Sequence, residues 1–124
     1  MKKILIVDDE NVIVEVLRDL LQEAGYNVAV AMDGMQATMQ VVKYKPDLIL
    51  LDISMPAGGG VAVYNRLKKS PETQNIPVIF LTAMPPSDLA QQLPYAKDVT
   101  VFRKPFKQKD LLDIVQKTLG DSSK

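Results

Sequence analysis

The sequence predicts one α/β domain, a doubly wound five-stranded parallel sheet with five helices, of which the fourth is short. Aliphatic runs at residues 4–7 and 48–51 are typical of strands that are buried on both faces. Segments with apolar residues at helical spacing alternate with these runs, and such alternation produces a parallel sheet with helices on both sides. A chain of 124 residues fits one domain of this kind without disulfides.

Turn and helix-stop residues separate the predicted elements of the first half. Gly25 ends the first helix, whose apolar residues follow helical spacing. Asp33-Gly34 predicts a turn, and Lys45-Pro46 ends the second helix because a residue before proline disfavours the helical conformation. The elements are strand 4–7, helix 13–24, strand 26–31, helix 35–42 and strand 48–51.

Glycine and proline also delimit the second half. A glycine-rich loop at residues 55–60 precedes the third helix, and Pro77 begins the fourth strand, where a missing amide is tolerated. Prolines between residues 85 and 94 leave room only for a short fourth helix. The elements are helix 61–67, strand 78–81, helix 87–93, strand 99–103 and helix 111–119. We expect the domain to cover residues 1–120 and a polar tail to cover residues 121–124.

Composition excludes several classes of function. The chain has no Cys and no His, which removes thiolate nucleophiles, imidazole bases and the usual zinc ligands. Fifteen basic and fifteen acidic residues give a formal net charge of zero, so we expect no general attraction to nucleic acid or membranes. No apolar run has transmembrane length, and Asp8 interrupts the N-terminal run too early for a signal peptide. We expect a cytoplasmic protein.

Polar residues follow four of the predicted strands. Asp8 and Asp9 follow the first strand, Asp52 the third, Thr82 the fourth and Lys104 the fifth. Parallel strands place all of them at the carboxyl edge of the sheet, where open α/β sheets bind ligands. The strand order 2-1-3-4-5, which we take from known flavodoxin-like folds, brings them to one pocket. Three carboxylates with a divalent cation, a hydroxyl and an ammonium form a site suited to phosphoryl groups.

These residues resemble the motifs of the receiver domain of two-component response regulators, the CheY-like superfamily, over essentially the whole chain. The matching segments are Asp8-Asp9, Asp52 with Met55-Pro56 and Gly60 behind it, Thr82-Ala83, and Lys104-Pro105-Phe106. The chain looks most like a single-domain receiver. The resemblance implies a signalling protein, a monomer or weak dimer, that takes a phosphoryl group from a sensor histidine kinase or phosphotransfer protein. It would then switch the binding of an output protein, with no enzyme activity beyond its own phosphorylation and dephosphorylation.

The resemblance also implies a role for each matching residue. Asp52 would be the phosphoacceptor, and Thr82 and Lys104 would bind the phosphoryl oxygens and take part in the switch. The Lys104-Pro105 peptide bond would be cis, a geometry accessible at modest cost only before proline. The implied ligands of Mg²⁺ are Asp8, Asp9, Asp52 and the backbone carbonyl of Ser54.

Two features depart from the family pattern. The position three residues before Lys104 usually holds an aromatic residue, and here it is Val101. Phe102 is adjacent, but strand alternation points it to the opposite face, so it cannot substitute directly. The short fourth helix, together with residues 94–98, indicates an altered output surface.

Three alternatives stay open. A receiver-like interaction module without phosphorylation is compatible with Val101. A Mg²⁺-dependent phosphatase would need a general acid where the chain has Ser54, and a flavodoxin-like cofactor module would have its flavin phosphate repelled by Asp8-Asp9-Glu10. Widely separated Asp8 and Asp52 carboxylates, or a salt bridge that closes the cleft between them, would contradict the phosphoacceptor hypothesis.

Overall fold

The computed structural model describes residues 1–53, 59–85, 87–88 and 100–120. These ranges contain five strands and four helices. In chain order the elements are β1 (Lys3–Val7), α1 (Asn11–Glu23), β2 (Asn27–Ala31), α2 (Gly34–Tyr44), β3 (Leu48–Asp52), α3 (Gly59–Lys69), β4 (Val78–Thr82), β5 (Thr100–Arg103) and α4 (Gln108–Leu119). The short helix predicted at residues 87–93 lies mostly outside the described residues, and the predicted tail at residues 121–124 lies entirely outside them.

The five strands form one parallel sheet in the order β2-β1-β3-β4-β5, which confirms the predicted topology. Every residue of β3 and β4 is buried, as their unbroken apolar sequences predict. β2 lies at one edge and is only partly buried. The carboxyl ends of β1, β3 and β4 are neighbours, and this edge of the sheet carries the candidate site.

The core consists of two layers, one on each face of the sheet. On one face α1 and α4 pack against the sheet through Val14, Leu17, Leu21, Leu111 and Val115, which contact Ile4, Ile6, Leu48, Leu50, Ile79 and Leu81. On the other face α2 and α3 pack through Ala37, Val41, Val63 and Leu67, in a cluster with Leu5, Val7, Ile49, Leu51, Val78 and Phe80. Alternate residues of each strand therefore enter opposite layers.

The helices extend beyond their apolar stripes because polar residues at the ends join the hydrogen-bonded turns. Asp33, predicted in a turn, is the N-cap of α2, and its side chain accepts a hydrogen bond from the Gln36 amide at 2.8 Å. The Gln36 side chain in turn accepts from the Met32 amide at 2.9 Å. Among the described residues, no helix is both long enough and apolar enough to cross a membrane.

The start of α3 differs from the prediction. We expected a loop through Gly60, but the helix begins at Gly59. The Gly60 amide donates to the Ile53 carbonyl at 2.8 Å, so the helix begins directly beside the end of β3. Only glycine fits there, because a Cβ on Gly60 would lie 2.2 Å from the Asp52 carbonyl oxygen. Gly59 has a φ of +71°, in the left-handed region that favours glycine.

Candidate functional site

Three polar side chains are buried where the central strands end. Asp8 follows β1 and is 0% exposed, Asp52 ends β3 and is 4% exposed, and Thr82 ends β4 and is 0% exposed. Acidic residues are almost never buried to this extent unless they are paired or bind a cation. The three residues therefore lie at the carboxyl edge of the sheet, where the sequence placed them, and the two acids are far more buried than acids usually are.

The acidic cluster at this edge contains a residue that sequence reasoning missed. Carboxylate oxygens of Asp8, Glu10 and Asp52 all lie within 4.8 Å of one another. Asp9, the predicted second acid, is exposed and lines the adjoining cleft without belonging to this cluster. One feature of the sequence could have pointed to Glu10. It directly precedes α1, at a position where a short capping side chain is usual.

Lys104 neutralises part of this acidic charge. Its Nζ lies 2.8 Å from Glu10 Oε1, 2.9 Å from Asp8 Oδ2 and 3.7 Å from Asp52 Oδ1. Burial acts to lower the pKa of the Lys104 ammonium, but hydrogen bonds to Glu10 and Asp8 and the charges of Asp8 and Asp52 outweigh it. The resulting pKa is raised above the ordinary value. The Lys104-Pro105 peptide bond is cis.

The Thr82 hydroxyl is linked to the segment that follows β4. Its Oγ1 accepts a hydrogen bond from the Met84 amide at 2.9 Å, and the Met84 carbonyl accepts one from Arg103 Nη1 at 2.7 Å. Thr82 and Arg103 are also register partners in the β4–β5 pair. The hydroxyl, the Met84 peptide and an exposed arginine therefore form one connected set.

Val101 and Phe102 lie on opposite faces of the sheet, as strand alternation predicts. Val101 packs in the layer that contains Phe80, whereas Phe102 packs in the other layer, where its ring centroid is 5.7 Å from that of Phe106. Phe102 therefore does not occupy the space of an aromatic residue at position 101.

An open cleft of about 270 Å³ lies beside the acidic cluster and Lys104. Its lining consists of Asp9, Glu10, Asp52, Ala83, Met84 and Lys104. Carboxylate oxygens of Asp8 and Asp52 lie within 4.8 Å of each other, so the first condition that would contradict the phosphoacceptor hypothesis is not met. Lys104 Nζ lies between these two acids, in a salt bridge with Asp8, while the cleft stays open beside Glu10 and Asp52. The donor set fits Mg²⁺, a hard cation that prefers oxygen ligands. Ser54, whose carbonyl was predicted to complete the ligands, lies outside the described residues.

Comparison with known proteins identifies the family. The protein-family model that describes the response regulator receiver domain matches residues 4–116 of this chain. The sporulation initiation phosphotransferase F of Bacillus subtilis is 38% identical over 118 residues, which cover 95% of this chain and 94% of that protein. The phosphate regulon transcriptional regulatory protein PhoB of Pseudomonas aeruginosa is 41% identical over 112 residues, covering 90% of this chain but only 48% of that longer protein.

A solved structure resembles the fold closely. It is the receiver domain of the sensor histidine kinase PA1611 from Pseudomonas aeruginosa, solved with a magnesium ion coordinated in its active site cleft. It superimposes with a TM-score of 0.86 at 29% sequence identity, covering 96% of this chain and 98% of that one. The fold, the buried acids at the carboxyl edge and the family match agree: the chain belongs to the response regulator receiver domain family and is a receiver domain of two-component signal transduction.

Proposed function

We propose that Asp52 accepts a phosphoryl group from a histidine kinase or phosphotransfer protein, in a reaction that requires Mg²⁺. The observation that carries this proposal is the position of Asp52, whose carboxylate lines an open cleft beside two other acids and the Lys104 ammonium. In the transfer, an Asp52 oxygen forms a bond to phosphorus while the bond from phosphorus to the donor histidine nitrogen breaks. The imidazole leaves with the electron pair of that bond and takes up a proton.

The chain's own residues fit the cation that this chemistry needs. Asp8, Asp9, Asp52 and the Ser54 carbonyl are the proposed ligands, with Asp8 and Asp52 already close together in the structure. Bound Mg²⁺ supplies positive charge to the phosphoryl oxygens, which is the main requirement of phosphoryl transfer beyond positioning. It also allows several neighbouring carboxylates to stay ionised.

Two further side chains are proposed to bind the phosphoryl group. The Lys104 ammonium lies 3.7 Å from Asp52 Oδ1, so a short movement brings it to an oxygen of the phosphorylated side chain. The Thr82 hydroxyl is proposed to donate a hydrogen bond to another oxygen of the phosphoryl group. Because Thr82 Oγ1 accepts from the Met84 amide, reorientation of this hydroxyl disturbs the segment after β4. We propose that a cytoplasmic output protein detects this change.

Phosphorylation of the purified protein tests the proposal. Acetyl phosphate with Mg²⁺ should add the mass of one phosphoryl group to the wild type, and Asp52→Asn should abolish the addition. Asp113→Asn on the exposed side of α4 makes the same charge change away from the cleft and should leave the addition intact. Beryllium fluoride, a phosphoryl mimic, should shift amide signals of the wild type only when Mg²⁺ is present.

The alternatives give different outcomes. An interaction module without phosphorylation would respond to neither reagent, and that result would refute the proposal. Addition of mass to Asp52→Asn would assign the phosphoryl group to another residue. Steady turnover of a small phosphate ester would instead favour a phosphatase.

A further inference from the structure

Glu10 occupies a helix-capping position without capping the helix. It directly precedes α1 with extended backbone angles (φ −91°, ψ 108°), and its side chain makes no hydrogen bond to the first turn. Short side chains are strongly preferred at such positions because they bond the free amides of that turn. The Glu10 carboxylate instead reaches Lys104 Nζ at 2.8 Å, across 94 residues of sequence.

Glu10 is also tied to Asp8 through its backbone. The Glu10 amide donates to Asp8 Oδ1 at 3.0 Å, while Lys104 donates to Asp8 Oδ2 at 2.9 Å. Both oxygens of the buried Asp8 carboxylate therefore accept a hydrogen bond. Each oxygen keeps a further lone pair that a cation could use. A cation bound there would lie beside the Lys104 ammonium, and repulsion between the like charges would drive the ammonium away from Asp8.

The displaced ammonium needs another acceptor. The Lys104 side chain is only 10% exposed, so losing its partners without access to water would be costly. Asp52 is itself a proposed metal ligand. Glu10, with a side chain that is 59% exposed, has room to move with the ammonium towards the mouth of the cleft.

We propose that Glu10 is a positioning residue that retains Lys104 when Mg²⁺ displaces it from Asp8, and that it thereby raises the affinity of the site for Mg²⁺. The same contact keeps the ammonium beside the cleft, where the phosphoryl group on Asp52 would be. This inference rests on the proposed Mg²⁺ site but not on phosphoryl transfer to Asp52.

A double-mutant cycle separates this role from the simple effect of a nearby negative charge. Mg²⁺ binding is titrated by amide spectra for the wild type, Glu10→Gln, Lys104→Met and the double variant. Glu10→Gln should weaken Mg²⁺ binding about two- to five-fold in the wild type. The Glu10–Lys104 contact is already present before the metal binds, so only its strengthening after the ammonium leaves Asp8 contributes to the affinity. With Lys104→Met the same change should have a clearly smaller effect, because no ammonium is left to retain.

Glu23→Gln provides the matched control. Glu23 ends α1 at the opposite end of the helix, so the substitution changes the net charge equally without contacting the cleft. It should leave Mg²⁺ affinity unchanged. Thermal unfolding in the presence of a chelator checks that all variants are folded, which is expected since Glu10 is exposed and glutamine has nearly the same size.

The outcomes are distinct. A fall in affinity of equal size with and without Lys104 would overturn the proposal, because Glu10 would then act through its own charge. An unchanged affinity in Glu10→Gln, or no Mg²⁺ binding by the wild type, would also overturn it. Coupling between Glu10 and Lys104 in a protein that acetyl phosphate does not modify would support this inference and refute only the proposed function.

Discussion

Single residues at the carboxyl edge show how tightly the sheet and the site are joined. Asp52 contributes its carboxylate to the cleft, while its backbone carbonyl faces the start of α3 at Gly60. A substitution at Gly60 therefore acts on both the helix and the proposed phosphoacceptor.

Gly60→Ala should destabilise the protein, although alanine normally stabilises a helix more than glycine does. The added Cβ would lie 2.2 Å from the Asp52 carbonyl oxygen, so α3 or the end of β3 must shift. We expect the free energy of unfolding to fall by about 1 to 3 kcal/mol, the usual cost of overpacking. Urea unfolding measures the change, and amide spectra should show shifts at Asp52.

A stability equal to or above that of the wild type would contradict this expectation. Ala62→Gly in the same helix is a useful companion, because there the intrinsic preference of alanine for the helix is lost together with the packing of one half-buried methyl group. The two substitutions are expected to destabilise for opposite reasons, one by adding a Cβ and the other by removing one.

At the scale of elements, contacts between strand starts and helix ends hold the edge opposite the cleft. Tyr44 near the end of α2 donates from its hydroxyl to Asn27 Oδ1 at the start of β2, with an O···O distance of 2.5 Å. Lys3 of β1 donates to the Tyr44 carbonyl at 3.2 Å, and its Nζ lies 5.6 Å from the centre of the tyrosine ring. One side chain thus joins α2 to two strands.

Tyr44 should make stability depend on pH in the alkaline range. Burial, and then the negative charge of Asp47, raise the pKa of the Tyr44 phenol. The phenol therefore loses its proton at lower pH in the unfolded chain than in the folded protein. Its contribution to stability is complete below the ordinary pKa of tyrosine and is lost as the pH rises through the raised value.

Urea unfolding of the wild type and Tyr44→Phe over a series of pH values tests this expectation. At neutral pH the variant should be less stable by about 1 kcal/mol, because the hydrogen bond to Asn27 is lost. The difference should shrink as the pH rises through the alkaline range. A difference that stays constant with pH would show that Tyr44 contributes no linked titration.

At the scale of the whole molecule, stability depends on a sheet that is covered on both faces. The central strands are buried throughout, whereas the edge strand β2 is only partly covered. The same apolar truncation should therefore have different costs in different strands.

Val7→Ala and Val28→Ala form a matched pair for this test. Val7 of β1 is 0% exposed, while Val28 of β2, its neighbour strand, is only partly buried. Removing two methyl groups should cost about 2 kcal/mol at Val7, where a cavity is left, and about half of that at Val28. Equal losses of unfolding free energy would show that β2 is covered as fully as β1.

The sequence alone predicted the five strands and the four helices that the structure describes, the strand ends that carry polar residues and the family resemblance. Aliphatic runs and helical spacing are short-range patterns, and parallel strands bring their carboxyl ends to one edge without further information. The prediction of Asp8, Asp52, Thr82 and Lys104 at that edge followed from these rules alone. Helix ends were predicted less well, because caps such as Asp33 are polar and carry no apolar period.

Only the tertiary structure decided which side chains meet. Asp9 and Glu10 are adjacent in sequence, yet Glu10 joins Asp8 and Asp52 while Asp9 stays outside their cluster. The contact of Glu10 with Lys104 joins residues 94 positions apart. Such a contact depends on the turn before α1 and on the register of β1 and β5 within the sheet, and no local pattern of residues encodes either one.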